Sequence, residues 1–189
     1  MAKARKSARK SARRSTGSAR RGGRNDAIGL LKADHRQVEE WFEQFESTRS
    51  ASRKQELTKK ICQALKVHTR IEAEIFYPAF LEATQEKNIH HEAEVEHEGA
   101  TKLIEEIEAS GPEDDYFDAK VTVLSEMIKH HVKEEEQRDG MFAKARASDM
   151  DLASLGEQLA ARKAELMAGT ESRGRNSRAG AETAAQLGR

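Results

Sequence analysis

Four stretches of the chain place apolar residues in steps of four and three, the period of a helix with one buried face. The seams run Leu31, His35, Val38, Phe42, Phe45; then Ile61, Leu65, His68, Glu72, Ile75, Ala79; then Ala93, His97, Ala100, Ile104, Ile107; and finally Phe117, Val121, Leu124, Ile128, His131, Glu135. Every seam carries one His, and two carry a Glu four residues after it. Residues four apart stack on one helix face, so these polar side chains are predicted to point into the core. A carboxylate there is costly unless it is paired or binds a metal.

Turn signals separate the seams. Asn25 or Asp26 can cap the first helix; Ser47 to Ser52, Gln85 to Asn88, and Ser110-Gly-Pro112-Glu-Asp-Asp115 are polar breaks. Pro78 lies inside the second helix and predicts a kink. The fourth helix is expected to continue through Met141 and Phe142, with Gly140 weakening its far end. Ser148-Asp149 opens a shorter fifth helix with Leu152, Leu155, Leu159 and Leu166 on one side, able to pack on the bundle or pair with another copy.

The spacing repeats. His35 to His68 is 33 residues and His97 to His131 is 34. Each half reads acid-His, helix, turn, then His-x-x-x-Glu: Asp34-His35 with His68 and Glu72, and Glu96-His97 with His131 and Glu135. A helical hairpin used twice predicts an all-α, antiparallel four-helix bundle over residues 25–147. The short C-terminal helix follows over 148–168. Disordered tails at 1–24 and 169–189 complete the domain reading, because their Gly, Arg, Ser and Ala content cannot offset the entropy of ordering.

Composition adds asymmetry rather than class. The formal net charge is zero, yet residues 1–24 hold ten Lys/Arg (Lys3, Arg5, Lys6, Arg9, Lys10, Arg13, Arg14, Arg20, Arg21, Arg24) and no acid, while the body is acidic. That arm suits sequence-independent, salt-sensitive contact with nucleic acid phosphates; lacking aromatics, it does not suit base stacking. A solvated tail with no specific partner, or an organellar transit peptide, fits the same composition. The single Cys62 excludes an internal disulfide and fits a reducing, cytoplasmic setting; one position off its seam, it reads as a partly buried thiol. No apolar run approaches the roughly 18–20 residues needed to span a bilayer.

Within such a bundle His35, His68, His97 and His131 would converge with Glu72 and Glu135. Four imidazoles and two carboxylates without a thiolate suit iron, manganese or zinc. They exceed one tetrahedral zinc and match two octahedral ions, each taking two His with the carboxylates bridging. Taken singly, each His also reads as an ordinary core residue satisfied by a neighbour. His90, His91 and Glu92 read as solvated; His130 and Glu134 share the i,i+4 spacing but lie beside the seam. Glu94, three before His97, is placed to reach a metal.

Asp34-His35-Arg, His68-x-x-x-Glu72 followed by Ile-Phe-Tyr-Pro78, Glu96-His97-Glu98, and His130-His131-Val-Lys-Glu-Glu135-Glu together resemble the hemerythrin-like, or HHE cation-binding, domain over roughly residues 26–147. The resemblance implies a cofactor of two non-haem iron ions with an oxo or hydroxo bridge, held by His35, His68, Glu72, His97, His131 and Glu135. Oxygen-carrying members have a second His four residues from the counterpart of His97; here those positions are Ala93 and Thr101, which predicts an open coordination position. The segment Gln-Arg-Asp-Gly before Met141 is longer than the family's gap, and the customary Pro is Ala143. Three functions follow as expectations. The first is binding or sensing iron and a small oxidant (oxygen, nitric oxide or peroxide). The second is enzymatic peroxide decomposition or nitric oxide reduction. The third is iron chemistry brought to DNA by the arm.

Overall fold

Asp26 starts the first helix: its carboxylate accepts from the Gly29 N–H at 2.7 Å, satisfying one of the donors a helix N-terminus leaves open. The structure, a computed structural model, describes residues 26–187, with side chains to Gly169; the basic arm lies outside the described residues. Helix α1 spans Ala27–Ser47, and α2 (Ala51–Ile71) opens on Ser50, whose hydroxyl accepts from Arg53 N–H. A π-helical turn, Glu72–Phe76, leads into α3 (Tyr77–Thr84); α4 spans Lys87–Ser110, α5 Phe117–Glu136, α6 Met141–Ala147 and α7 Leu152–Leu187. Helices α1 and α2 form one antiparallel hairpin and α4 and α5 the other, and α1 meets α5 while α2 meets α4. This is the four-helix bundle read from the repeat. Among the described residues no helix is long and apolar enough to cross a membrane.

The apolar seams build two core clusters rather than one. Val38, Phe42, Ile61, Leu65, Ile104 and Leu124 belong to the lower cluster; Leu31, Ile71, Phe76, Tyr77, Ala93 and Phe142 belong to the upper. On α1, α2 and α4 the seam passes from one cluster to the other across its inward His; on α5 it ends in His131 and Glu135, and Met141 and Phe142 of α6 continue the upper cluster. The polar layer is thereby enclosed above and below by hydrocarbon. Cys62 is fully buried in the lower cluster, deeper than its position off the seam predicts, and burial pushes its thiol up to about 12.

Three local features depart from the sequence reading. Pro78 does not lie in a continuous α-helix. Tyr77 N–H bonds to Glu72 O, five residues back, so the turn absorbs the missing donor as a π-bulge. One extra residue in the turn moves the buried row: Phe76 and Phe80 are fully buried, where Ile75 and Ala79 were expected, and Ile75 is only partly covered. The fourth helix does not run on through Met141 either. It ends at Glu136, and α6 begins anew after a turn in which Gly140 packs against the end of α5; a Cβ there would sit 2.1 Å from Glu134 O. Gly140 therefore allows a close backbone approach. Lastly, α7 runs on to Leu187, past the Gly169 at which the sequence reading begins the tail. It starts at Leu152, where Asp151 accepts from Ser154 N–H at 3.0 Å, packs across α1 and α2, and buries Leu159 completely.

Candidate metal centre

The six seam residues meet in one layer. His35 and His68 face each other with 3.1 Å between their Nε2 atoms, and His97 and His131 do the same at 3.0 Å. Each carboxylate reaches both pairs. Glu72 Oε2 lies 3.2 Å from His68 Nε2 and 3.5 Å from His97 Nε2; the Glu135 oxygens lie 3.4 Å from His35 Nε2 and 3.7 Å from His131 Nε2. Two imidazole pairs are thus joined by two carboxylates, and Glu72 belongs to both of the buried groups able to hold an ion, His35/His68/Glu72 and Glu72/His97/His131.

The outward ring nitrogens explain the orientation. His35 Nδ1 is 2.9 Å from Glu136 Oε1, and His131 Nδ1 is 2.7 Å from Glu96 Oε2. His68 Nδ1 approaches Asp34 at 3.5 Å, within ion-pair range but not aligned as a hydrogen bond. A carboxylate on Nδ1 fixes the tautomer and leaves the Nε2 lone pair facing inward for a cation. The acid preceding each first His therefore serves the other helix of its hairpin: Asp34 serves His68, and Glu96 serves His131. In the first half, the position matching Glu136 is Ala73, so His97 has no counterpart of the acid that serves His35 and the repeat is broken there. Beside His97 stands the phenol of Tyr77, its hydroxyl 3.1 Å from Nε2 and 3.4 Å from Glu135 Oε1.

The electrostatics match a cation site. Glu72 is completely buried, and among the described residues neither of its oxygens has a hydrogen-bond partner; Glu135 Oε2 has none either. Buried polar atoms are nearly always satisfied, and a cation in this layer would satisfy these. Burial opposes the charge of Glu72, but His68, His97 and His131 overcome it and hold the carboxyl near 2. Burial, and then the charge of Glu72, push Glu135 up to about 8. Like charges this close do not both ionise without a cation to offset them. All six side chains fit a pair of metal ions in donor type and in number.

The profile of the hemerythrin HHE cation-binding domain matches residues 26–143. The chain belongs to the hemerythrin HHE cation-binding domain family. A crystal structure of a hemerythrin HHE cation-binding domain-containing protein, the Rv2633c homolog from Mycobacterium kansasii, shares the fold with a TM-score of 0.66 at 23% identity, covering 79% of this chain and 92% of that one. No curated protein matches the chain. As an HHE domain it is a cation-binding module, and its buried His/Glu groups are suited to metal.

Other candidates lie elsewhere in this HHE domain. Glu94 turns outward, 58% exposed and 3.4 Å from His90, and does not join the layer. His130 is 63% exposed and pairs with Glu134 at 3.2 Å. Tyr77, and the acids acting on the ring nitrogens, were not assigned roles by seam analysis. Pro78 was the available signal for Tyr77, because a proline inside a helix marks where the face can shift.

Proposed function

We propose that this HHE domain is a non-haem di-iron protein that binds iron and a small oxidant: oxygen, nitric oxide or peroxide. The observation that carries the reading is the bridging arrangement, in which Glu72 and Glu135 each reach both imidazole pairs. His35 and His68 would hold one ion, His97 and His131 the other, and the carboxylates both. The iron pair supplies reversible redox and ligand binding to the oxidant. The chain's own part is to orient the imidazoles through Asp34, Glu96 and Glu136, and to exclude water with the two apolar clusters. A cytoplasmic setting fits the lone, deeply buried thiol.

Iron analysis and an optical spectrum of four purified variants test this. His131→Ala and Glu135→Ala should lose iron, while His130→Ala and Glu134→Ala should keep about two ions per chain and an unchanged near-ultraviolet charge-transfer band. Metal loss in the His130 variant with retention in the His131 variant would overturn the ligand set.

One observation favours turnover as a second reading. The Tyr77 hydroxyl, 3.1 Å from His97 and kept protonated by burial and the nearby carboxylates, is positioned to donate a proton beside the layer. Steady oxygen release from hydrogen peroxide by the iron-loaded protein, sharply reduced in Tyr77→Phe, would establish an enzyme. A DNA-associated role rests only on the charge of residues 1–24.

A further inference from the structure

A second set of metal-binding side chains converges on the surface between α4 and α5. His130 Nε2 lies 3.2 Å from Glu134 Oε1 and 3.5 Å from Glu96 Oε1, and one ligand atom from each of the three falls within 4.8 Å of the others. Glu96 ties this group to the inner layer, because its other oxygen is 2.7 Å from His131 Nδ1. A cavity of about 90 Å³ adjoins them. Glu92, Glu96, Glu134 and Asp139 line it, together with the buried His131 and Glu135, and no Lys or Arg does. Glu135 is 2% exposed, with Oε2 lacking a hydrogen-bond partner. Gly140 lines the cavity as well, where α5 ends and its dipole presents negative charge. The cavity against His35 differs: Arg36, Lys129 and Lys133 stand with the acids Glu39 and Glu136 beside Phe42, Ile128 and Val132, a mixed lining without the acidic excess.

We propose that Glu96, His130 and Glu134 form an outer divalent-cation site that captures ferrous iron and passes it along the acid-lined cavity to His131 and Glu135. The proposal rests on the metal-centre reading above. One imidazole with two carboxylates suits Fe(II), Mn(II) or Zn(II). Exposure of His130 keeps the site hydrated and weak, as a loading step requires, since the ion must leave inward. The same geometry gives the i,i+4 pair His130/Glu134 a role that its position beside the seam otherwise leaves without one.

The test mixes metal-free, full-length protein with Co(II) under anaerobic conditions and follows the d–d absorption of the inner ions. Clefts of one charge sign raise association rates by about 10 to 10³. Glu134→Gln, which removes one such charge, and His130→Ala, which removes the imidazole ligand of the outer site, are each expected to slow uptake about tenfold or more while reaching the wild-type final content. Glu98→Gln, an exposed α4 carboxylate that pairs with Lys102 outside the cavity, should keep the wild-type rate. Added salt should shrink the difference between wild type and Glu134→Gln. Equal uptake rates in wild type and both variants would overturn the outer site alone. Wild-type protein that takes up no Co(II) would overturn the inner centre, and the loading route would fall with it.

Discussion

The two buried carboxylates of the layer should answer the same substitution with opposite signs in metal-free protein. Glu135 is 2% exposed; its Oε2 has no hydrogen-bond partner, and its Oε1 accepts only a long bond from Tyr77 at 3.4 Å. Burial and the charge of Glu72 push its pKa up to about 8, so near pH 7 it is mostly a neutral acid removed from water with little in return. Leaving a buried polar group unsatisfied costs about 1–3 kcal/mol, and a Met of similar length fills the space with softer atoms. Glu135→Met should raise metal-free stability by about 1–2 kcal/mol, roughly 2–8 °C in Tm for a chain of this size. Glu72 is the reverse case. It lies 3.2 Å from His68, whose pKa it lifts, against burial, to about 10. Removing one member of a buried ion pair costs about 3–5 kcal/mol; His68 recovers part by releasing its proton, so Glu72→Met should lose about 1–3 kcal/mol. Thermal unfolding by circular dichroism with a chelator present reads both shifts. The pH dependence supplies a check. Because the folded pKa of Glu135 lies above its ordinary 4.5, the folded chain holds the extra proton between those values. Its contribution to stability is present below about 4.5 and lost as pH rises through about 8, and Glu135→Met should remove that slope. Metal at a thousand times its Kd should add about 4 kcal/mol to wild type and nothing comparable to either variant. A metal-free Glu135→Met protein melting below wild type would refute the reasoning.

Gly140→Ala would bring a Cβ within 2.1 Å of Glu134 O and 2.8 Å of Glu135 O, backbone atoms that move only if the end of α5 unwinds. A loss of roughly 1–3 kcal/mol in thermal unfolding is expected, and an unchanged Tm would show that the turn is not tight. Deleting residues 2–24 should abolish weak, salt-sensitive binding to duplex DNA and leave metal content unchanged; equal binding by truncated and full-length protein at low salt would refute a role for the arm.

What was legible in the sequence was whatever period and spacing carry. The positions of His35, His68, His97 and His131 followed from seams of four and three, and the hairpin from its repeat at 33 and 34 residues. Deviations from period were not legible. A π turn adds one residue, and every inward position after Glu72 moves accordingly, which is how Tyr77 comes to His97. Gly140 read as a weak helix position because its packing partner, the end of α5, emerges only once the turn is formed. The acids before His35 and His97 were visible, but spacing alone assigned them no partner. Neighbours on a helix point about 100° apart, so Asp34 and Glu96 reach the adjacent helix instead.

That partner exchange leaves the two imidazole pairs unequal, and the inequality should appear as an order of metal loss. Around His35 and His68, Glu136 is fixed by Lys32 at 3.1 Å and by Arg36 at 2.6 Å, and Asp34 is fixed by Lys163 from α7. Each acid holding that pair is thus itself held by a cation, and both rings are nearly inaccessible. Around His97 and His131 the supports are fewer. Ala73 stands where a second acid would be, Glu96 also faces the outer His130, and the His97 side chain is 12% exposed. The Tyr77 hydroxyl competes for the same Nε2 that an ion would use. An ion on His97 and His131 should therefore leave first, giving two-phase release of Co(II) to a chelator. Tyr77→Phe removes the competing hydroxyl and should slow the fast phase, whereas Glu136→Gln, acting on His35, should quicken the slow one. Release in a single phase, or a fast phase that answers only to Glu136→Gln, would mean that the two pairs hold metal alike and that the broken repeat has no consequence for binding.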